Sequence, residues 1–125
     1  MASLEEVENQ LRKIGVRIKS WGRFEMLELC QVLMPDEQIR ACLNGHYAGG
    51  FAMLCATDRR VLLIDKKPFY LTLEDIRFDM ISEVDYSSRL LDATVRIQTP
   101  TQTLAFMSWN QPALRKLTTY VQQAG

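Results

Sequence analysis

Residues 39–47 constrain the fold of this chain more than any other segment, because their character alternates with a period of two. Apolar or small side chains occupy the odd positions, and other side chains occupy the even positions. This alternation is typical of a β-strand with one buried face, whereas an amphipathic helix repeats every 3.6 residues. Pro35 lies just upstream and prevents a preceding helix from continuing into this segment.

Further segments with strand character follow at close intervals. Residues 94–99 and 102–107 form a predicted hairpin in which the apolar residues of one strand face those of the other. The other segments are 51–57, 61–64, 69–73, 76–78 and 84–88. Because no helix-length segment separates one strand from the next, βαβ units are excluded. We predict an α+β chain, mainly β, with seven or eight antiparallel strands in a small barrel or sandwich.

Amphipathic helices are predicted before the strands. The first begins at a capping box formed by Ser3 and Glu6. We predict that this helix ends at Gly22, a residue typical of helix C-termini. Gly15 marks a point inside it where the helix can break, because glycine is a poor helix former. Its apolar stripe consists of Leu4, Val7, Leu11, Ile14, Ile18 and Trp21. A second short helix is predicted over residues 24–33.

One more helix is predicted after the strands. It begins near Pro112, a residue that suits the first helical turn. Its apolar stripe consists of Leu114, Leu117 and Val121. We expect this stripe to cover one end of the barrel. The chain is therefore predicted to have a helical extension at residues 1–34, followed by the barrel and its C-terminal helix at residues 35–125.

Composition limits the classes of function. The 125 residues include fifteen basic and fifteen acidic side chains, so no overall field attracts the chain to nucleic acid or to a membrane. Its three cysteines lie in apolar runs without metal-ligand spacing, which indicates a reducing compartment. Since neither a signal peptide nor a membrane-spanning run is apparent, we predict a cytoplasmic protein, either free or peripheral to the inner face of the membrane.

Several short motifs resemble bacterial pleckstrin-homology-like (PH-like) domains of the YokE-like type. They are Pro35-Asp36-Glu37, the strand end Gly45-His46-Tyr47, the hairpin at residues 56–66 and the segment 81–86. The resemblance covers residues 24–125. It implies a PH-like barrel capped by a C-terminal helix and a role in binding or scaffolding. It does not extend to the first helix, and the phosphoinositide ligands of eukaryotic relatives are not carried over.

Basic residues on one predicted hairpin are the first candidate site. Arg59 and Arg60 lie at one turn, and Lys66 and Lys67 lie one strand later. Guanidinium groups bind phosphate and carboxylate in a bidentate manner, so these four side chains could bind an anion. The alternative is that they are solvated turn charges, since Asp58 and Asp65 neutralise part of the patch.

The first helix is the second candidate site. A basic amphipathic helix that carries a tryptophan can lie in a membrane interface or bind a partner helix. The candidate contact residues are Arg12, Lys13, Ile14, Arg17, Ile18, Lys19 and Trp21. However, acids in the first turns and bases in the last are also what the helix dipole favours. The stripe could therefore pack on the barrel or on another subunit instead.

Catalysis is not indicated. Cys42 and His46 lie four residues apart on one strand, so about 13 Å separates their backbones, too far for a nucleophile and its base. No catalytic, nucleotide-binding or metal-binding motif is present, and we predict neither cofactor nor small-molecule substrate. Nucleic acid is also not expected, because no basic stripe crosses the strands. Trp109 is expected to pack beside the last helix.

Two hypotheses follow from these observations. The first is a non-catalytic module for protein–protein interaction or self-association, supported by the long apolar stripe of the first helix. The alternative is a module that binds an anionic phospholipid membrane through the basic part of that helix and the basic hairpin residues.

Overall fold

A computed structural model of the protein describes residues 3–16, 23–66 and 70–124, without the side chains of Arg23 and Lys66. Its helices are α1, Leu4–Lys13, α2, Arg23–Val32, and α3, Gln111–Ala124. Its strands are β1, Ile39–Tyr47, β2, Gly50–Thr57, β3, Arg60–Lys66, β4, Leu71–Arg77, β5, Glu83–Ser88, β6, Ala93–Gln98, and β7, Thr103–Ser108. A 3-10 turn, Phe78–Met80, separates β4 from β5.

The strands form one antiparallel sheet. In the described part of the chain it has seven strands in the order β4-β3-β2-β1-β7-β6-β5. The segments predicted at 69–73 and 76–78 contribute to a single strand, β4, which accounts for seven strands rather than eight. The predicted hairpin is confirmed, since Val95 pairs with Phe106 and Ile97 pairs with Leu104.

The sheet curls around an apolar core that we call the inner core. Ile76 of one edge strand belongs to it, and Val84 of the opposite edge strand packs against it, so both ends of the sheet surround the same interior. The α3 residues Leu114, Leu117 and Val121 are buried in this core, as their spacing predicts. The observed architecture is therefore the predicted barrel with a C-terminal helix packed on it.

A second apolar cluster, the outer core, lies on the opposite face of β1–β3. Period-two alternation places Cys42, Cys55 and Leu62 on this face, away from the inner core. Helices α1 and α2 and the residue that follows α2 cover it with Val7, Leu11, Met26, Leu29 and Leu33. Residues before and after the predicted boundary at 34/35 therefore contribute to the same apolar core. The division into an extension at residues 1–34 and a barrel at residues 35–125 stays a prediction.

Local signals explain the ends of α1. The Ser3 side chain accepts a hydrogen bond from the backbone N–H of Glu6, as the capping box predicts. The helix ends at Lys13, and Gly15 follows with φ of +79°, a left-handed conformation that glycine adopts without strain. The predicted break at Gly15 is therefore present. The stop predicted at Gly22 lies outside the described residues.

Glycine is also required where β1 crosses β7. A Cβ atom on Gly45 would lie 2.7 Å from ring carbons of Phe106 and would clash with the carbonyl oxygen of Met107. These two strands share one registered pair, His46 with Met107, which joins the two halves of the sheet. The missing side chain lets the halves approach closely enough to enclose the inner core.

Candidate functional site

The predicted hairpin site at Arg59 and Arg60 is occupied by ion pairs within the chain. Arg60 is buried at the start of β3 and makes a bidentate contact with Glu37, with Nε 2.9 Å from Oε2 and Nη2 2.8 Å from Oε1. Its Nη1 lies 2.7 Å from Asp75 Oδ2, and its Nη2 also donates to the carbonyl of Val32. An external anion at Arg60 would have to displace these partners.

Glu37 is the centre of this network, which we call the Glu37–Arg60 network. The hydroxyl of Thr57 donates to its Oε2 at 2.6 Å, and the backbone N–H of Met34 donates to its Oε1 at 3.0 Å. Burial alone would raise the pKa of Glu37, but the hydrogen bonds from Arg60, Thr57 and Met34 outweigh it, and the pKa is lowered. The network joins the end of α2, the β2–β3 turn and β4.

The remaining hairpin residues are not brought together with Arg60. Arg59 forms an exposed ion pair with Asp36 at 2.7 Å, which lowers the pKa of that carboxyl. Lys66 is the last residue of β3, at the opposite end of the strand from Arg60, and its side chain is not described. Lys67 lies outside the described residues. The four-residue anion site therefore stays a prediction that the described geometry does not assemble.

The first-helix candidates divide into two groups. Arg17, Ile18, Lys19 and Trp21 lie outside the described residues. Among the described ones, Arg12 and Lys13 are exposed in the last turn of α1, whereas Ile14 is partly buried against the outer core. Val7 and Leu11 of the same stripe are buried. The described part of the apolar stripe thus packs on its own barrel, which was one of the alternatives that the sequence left open.

A different basic surface lies over α3. Arg115 and Lys116 are exposed on its outer side, and Arg40 approaches from β1. These three side chains, with Pro112, Thr119, Tyr120 and Gln123, line an open depression of about 560 Å³, which we call the basic face. Within residues 3–16, 23–66 and 70–124, none of the three basic side chains takes part in an ion pair or a side-chain hydrogen bond. Their charges are therefore available to an external anion.

A β-bulge places Arg40 on this face. Ile39 pairs with Thr57 and Ala41 pairs with Ala56, so Arg40 is an extra residue in β1. A bulge redirects the local side chains. Ile39 lies in the outer core and Ala41 in the inner core, while Arg40 between them is exposed and lines the basic face. A second depression, of about 300 Å³, adjoins the first and shares Arg40, Pro112 and Lys116 with it. Ile14 also lines it, so the end of α1 borders the basic face.

Sequence reasoning missed the basic face because its members are far apart in the chain. Arg40 and Arg115 meet only when α3 folds back over β1. One signal was present, since all fifteen acidic residues lie at or before Asp92. The remainder of the chain carries Arg96, Arg115 and Lys116 without a carboxylate side chain. The neutral total charge therefore conceals a basic C-terminal segment.

The environment of Trp109 also differs from the one that the sequence analysis predicted. Trp109 was expected to pack beside the last helix, but its side chain is 70% exposed and the prediction is wrong. The ring instead lies beside His46, with 5.7 Å between ring centroids, and His46 contacts Phe51 at 4.6 Å. The alternation in β1 turns His46 to the outer face, beyond the area that α1 and α2 cover.

Metal-binding and membrane-spanning features are not found in the part of the chain that the structure describes. No group of three or more histidine, cysteine, aspartate or glutamate side chains is placed there to hold a metal ion. None of the helices described is long and apolar enough to cross a bilayer.

A curled antiparallel sheet packed against one C-terminal helix is the architecture of PH-like domains, which are generally non-catalytic binding modules. Comparison with known proteins identifies the family. The family model described as bacterial PH domain matches residues 33–123, and the chain belongs to that family. The predicted resemblance is thereby confirmed as to family and fold.

A solved structure shares this fold. It is a DUF1696-family protein with a pleckstrin-homology domain from Shewanella loihica PV-4, with a TM-score of 0.58 and 16% sequence identity. The alignment covers 84% of this chain and 98% of that chain. At this identity the likeness shows the fold alone. No curated protein matches the chain.

Proposed function

We propose that this protein is a non-catalytic module that attaches to anionic phospholipid membranes through its basic face. The observation that carries the proposal is the group of Arg40, Arg115 and Lys116, exposed and without carboxylate partners among the described residues. A membrane surface of uniform negative charge repels any carboxylate brought near it. An acid-free face is therefore the surface most compatible with it.

The expected strength is modest. A basic side chain near an anionic membrane contributes about 1 kcal/mol, so three give roughly 3 kcal/mol, which salt screens over a Debye length of about 8 Å under physiological conditions. Attachment through the basic face alone should therefore be reversible and salt-sensitive. Arg12 and Lys13 lie next to Ile14, which lines the second depression, and they can extend the same field.

The self-association hypothesis has lost part of its support. It rested on an apolar stripe in the first helix that had no assigned role, yet Val7 and Leu11 are buried against the barrel. Interaction with a protein remains the second candidate for another reason. The basic face includes the apolar side chains of Pro112 and Tyr120, which suit an acidic peptide segment better than a lipid surface.

Flotation with vesicles tests the proposal. Vesicles of phosphatidylcholine alone are compared with vesicles that also contain phosphatidylglycerol, at low and at physiological salt. We expect selective, salt-sensitive binding to the anionic vesicles. Lys116→Glu should weaken this binding by about tenfold or more, because it reverses one charge on the face.

Arg77→Glu is the matched control, since it makes the same change of charge at an exposed position on the edge strand β4. It should bind nearly as well as the unmodified chain. Failure of the unmodified protein to bind anionic vesicles in every condition would overturn the membrane proposal. Salt-sensitive binding to poly-glutamate that Lys116→Glu abolishes, without vesicle binding, would favour the protein candidate.

A further inference from the structure

The turn between β5 and β6 exposes two adjacent leucines to an unusual degree. Leu90 is 92% exposed and Leu91 is 76% exposed. Residues 89–92 form the turn, which we call the leucine tip. Single exposed apolar residues are common on protein surfaces, but two neighbouring large ones on a projecting turn point to a contact with an apolar environment.

The leucine tip is held in one conformation. The backbone N–H of Arg89 donates to the carbonyl of Asp92 at 2.7 Å, and their side chains form two further bonds of 2.9 Å each. Gln111 Nε2 donates to the carbonyls of Arg89 and Asp92, at 2.7 and 2.9 Å. The two leucines are thus presented on a pre-ordered turn, so little backbone ordering is needed when they make a contact.

The leucine tip lies at the N-terminal end of α3, and the basic face runs along that helix from Pro112 to Gln123. Gln111, which binds the tip, is four residues, or about 6 Å along the helix axis, from Arg115. Trp109 is close as well, because Ala93 at the start of β6 pairs with Ser108. The one carboxylate in the tip, that of Asp92, is paired with Arg89. The leucine tip, Trp109 and the first turn of α3, whose Pro112 lines the basic face, are therefore neighbours in the fold, and the tip carries no unpaired carboxylate.

We propose that Leu90 and Leu91 insert into the interfacial region of an anionic phospholipid bilayer, with Trp109 beside them, while the basic face contacts the headgroups. This inference rests on the proposed function and adds the apolar anchor. Charge complementarity selects the bilayer as occupant, since a projecting apolar turn next to an acid-free basic surface matches the layered chemistry of an anionic membrane. Tryptophan at the edge of the insertion fits its preference for the membrane–water interface.

Fluorescence of Trp109 reports the insertion. The Trp21→Phe variant leaves Trp109 as the single tryptophan of the chain. We expect its emission to shift to shorter wavelength with vesicles of phosphatidylcholine and phosphatidylglycerol, and not with phosphatidylcholine alone. The added change Leu90→Ser with Leu91→Ser should abolish the shift and weaken vesicle binding by about tenfold or more. Thermal unfolding should be unchanged, because both leucines are already exposed.

Leu71→Ser with Leu73→Ser is the matched control, because it removes two partly exposed leucines from the edge strand β4. It should leave binding and the emission shift intact. If the tip variant binds as well as its parent and Trp109 shows no shift, the insertion is refuted while salt-sensitive attachment stands. If the parent does not bind anionic vesicles at all, the proposed function and the insertion both fail.

Discussion

At the scale of single residues, the Glu37–Arg60 network explains what residues in two of the motifs that carry the family resemblance do in the fold. Pro35-Asp36-Glu37 and the segment from Thr57 to Arg60 are distant in the sequence, yet the Glu37 carboxylate bonds to both Thr57 and Arg60. These residues hold the ends of three elements together. These motif residues therefore have a structural role in the fold, and the anion site predicted at Arg59 and Arg60 stays a prediction.

Removing the charge of Glu37 should destabilise the fold. Glu37→Gln leaves the buried guanidinium of Arg60 without its main counter-charge, and loss of one partner of a buried pair costs about 3 kcal/mol. Urea unfolding monitored by circular dichroism measures the change. Asp36→Asn removes a carboxylate that also pairs with an arginine but is exposed, and it should not shift the midpoint measurably. Equal effects of the two changes would contradict this role of Glu37.

The same carboxylate makes stability depend on pH. The pKa of Glu37 in the folded protein lies below its ordinary value of 4.5, so the unfolded chain binds a proton more readily. The corresponding stabilisation is complete above about pH 4.5 and is lost as the pH falls through the lowered pKa. We expect the free energy of unfolding to decrease over this acidic range, and to decrease less steeply in Glu37→Gln. Parallel pH profiles for the two proteins would exclude Glu37 as a source of this dependence.

At the scale of elements, α1 is a cover for the sheet rather than a free arm over its described length. Its buried side chains fill the outer core, and Gln10 also accepts a hydrogen bond of 2.7 Å from the backbone N–H of Ile39 at the start of β1. The helix therefore satisfies a backbone donor of the strand on which it packs.

Leu11→Ala should consequently destabilise the whole domain. Leu11 is 2% exposed within the outer core, and truncation of a buried leucine costs about 2–4 kcal/mol. Chemical unfolding measures the loss, and light scattering on a sizing column measures the mass of the particle. Lys13→Ala, on the exposed side of the same helix, should change neither quantity. A fall in mass without a loss of stability would instead place Leu11 between subunits.

At the scale of the whole molecule, the sheet carries apolar cores on both faces, and the segment of the chain after Asp92 carries no acidic side chain. Helix α3 packs on the inner core, while α1 and α2 cover the outer core. The basic face and the leucine tip lie around α3, and apart from Arg40 of β1 their residues follow the last acidic residue, Asp92, or directly border it. Membrane attachment, as proposed, would use one end of the molecule and leave the two cores undisturbed.

The sequence by itself determined the elements and their buried faces, because local periodicity and capping act within a few residues. Alternation in residues 39–47 predicted β1, and Ser3 with Glu6 predicted the start of α1. Strand spacing also excluded βαβ units. Of the predicted site, the sequence placed Arg12, Lys13 and Ile14 at the basic end of a helix, and in the structure Ile14 lines the depression that adjoins the basic face.

Only the tertiary structure decided which charges are paired and which are free, because pairing depends on contacts between residues far apart in the chain. Arg60 appeared available in the sequence, yet folding buries it against Glu37 and Asp75. No pattern in the sequence linked Arg40 with Lys116. The bulge in β1 and the packing of α3 on the barrel bring the two side chains to one surface. The candidate site was thus a product of long-range packing, which sequence periodicity does not encode.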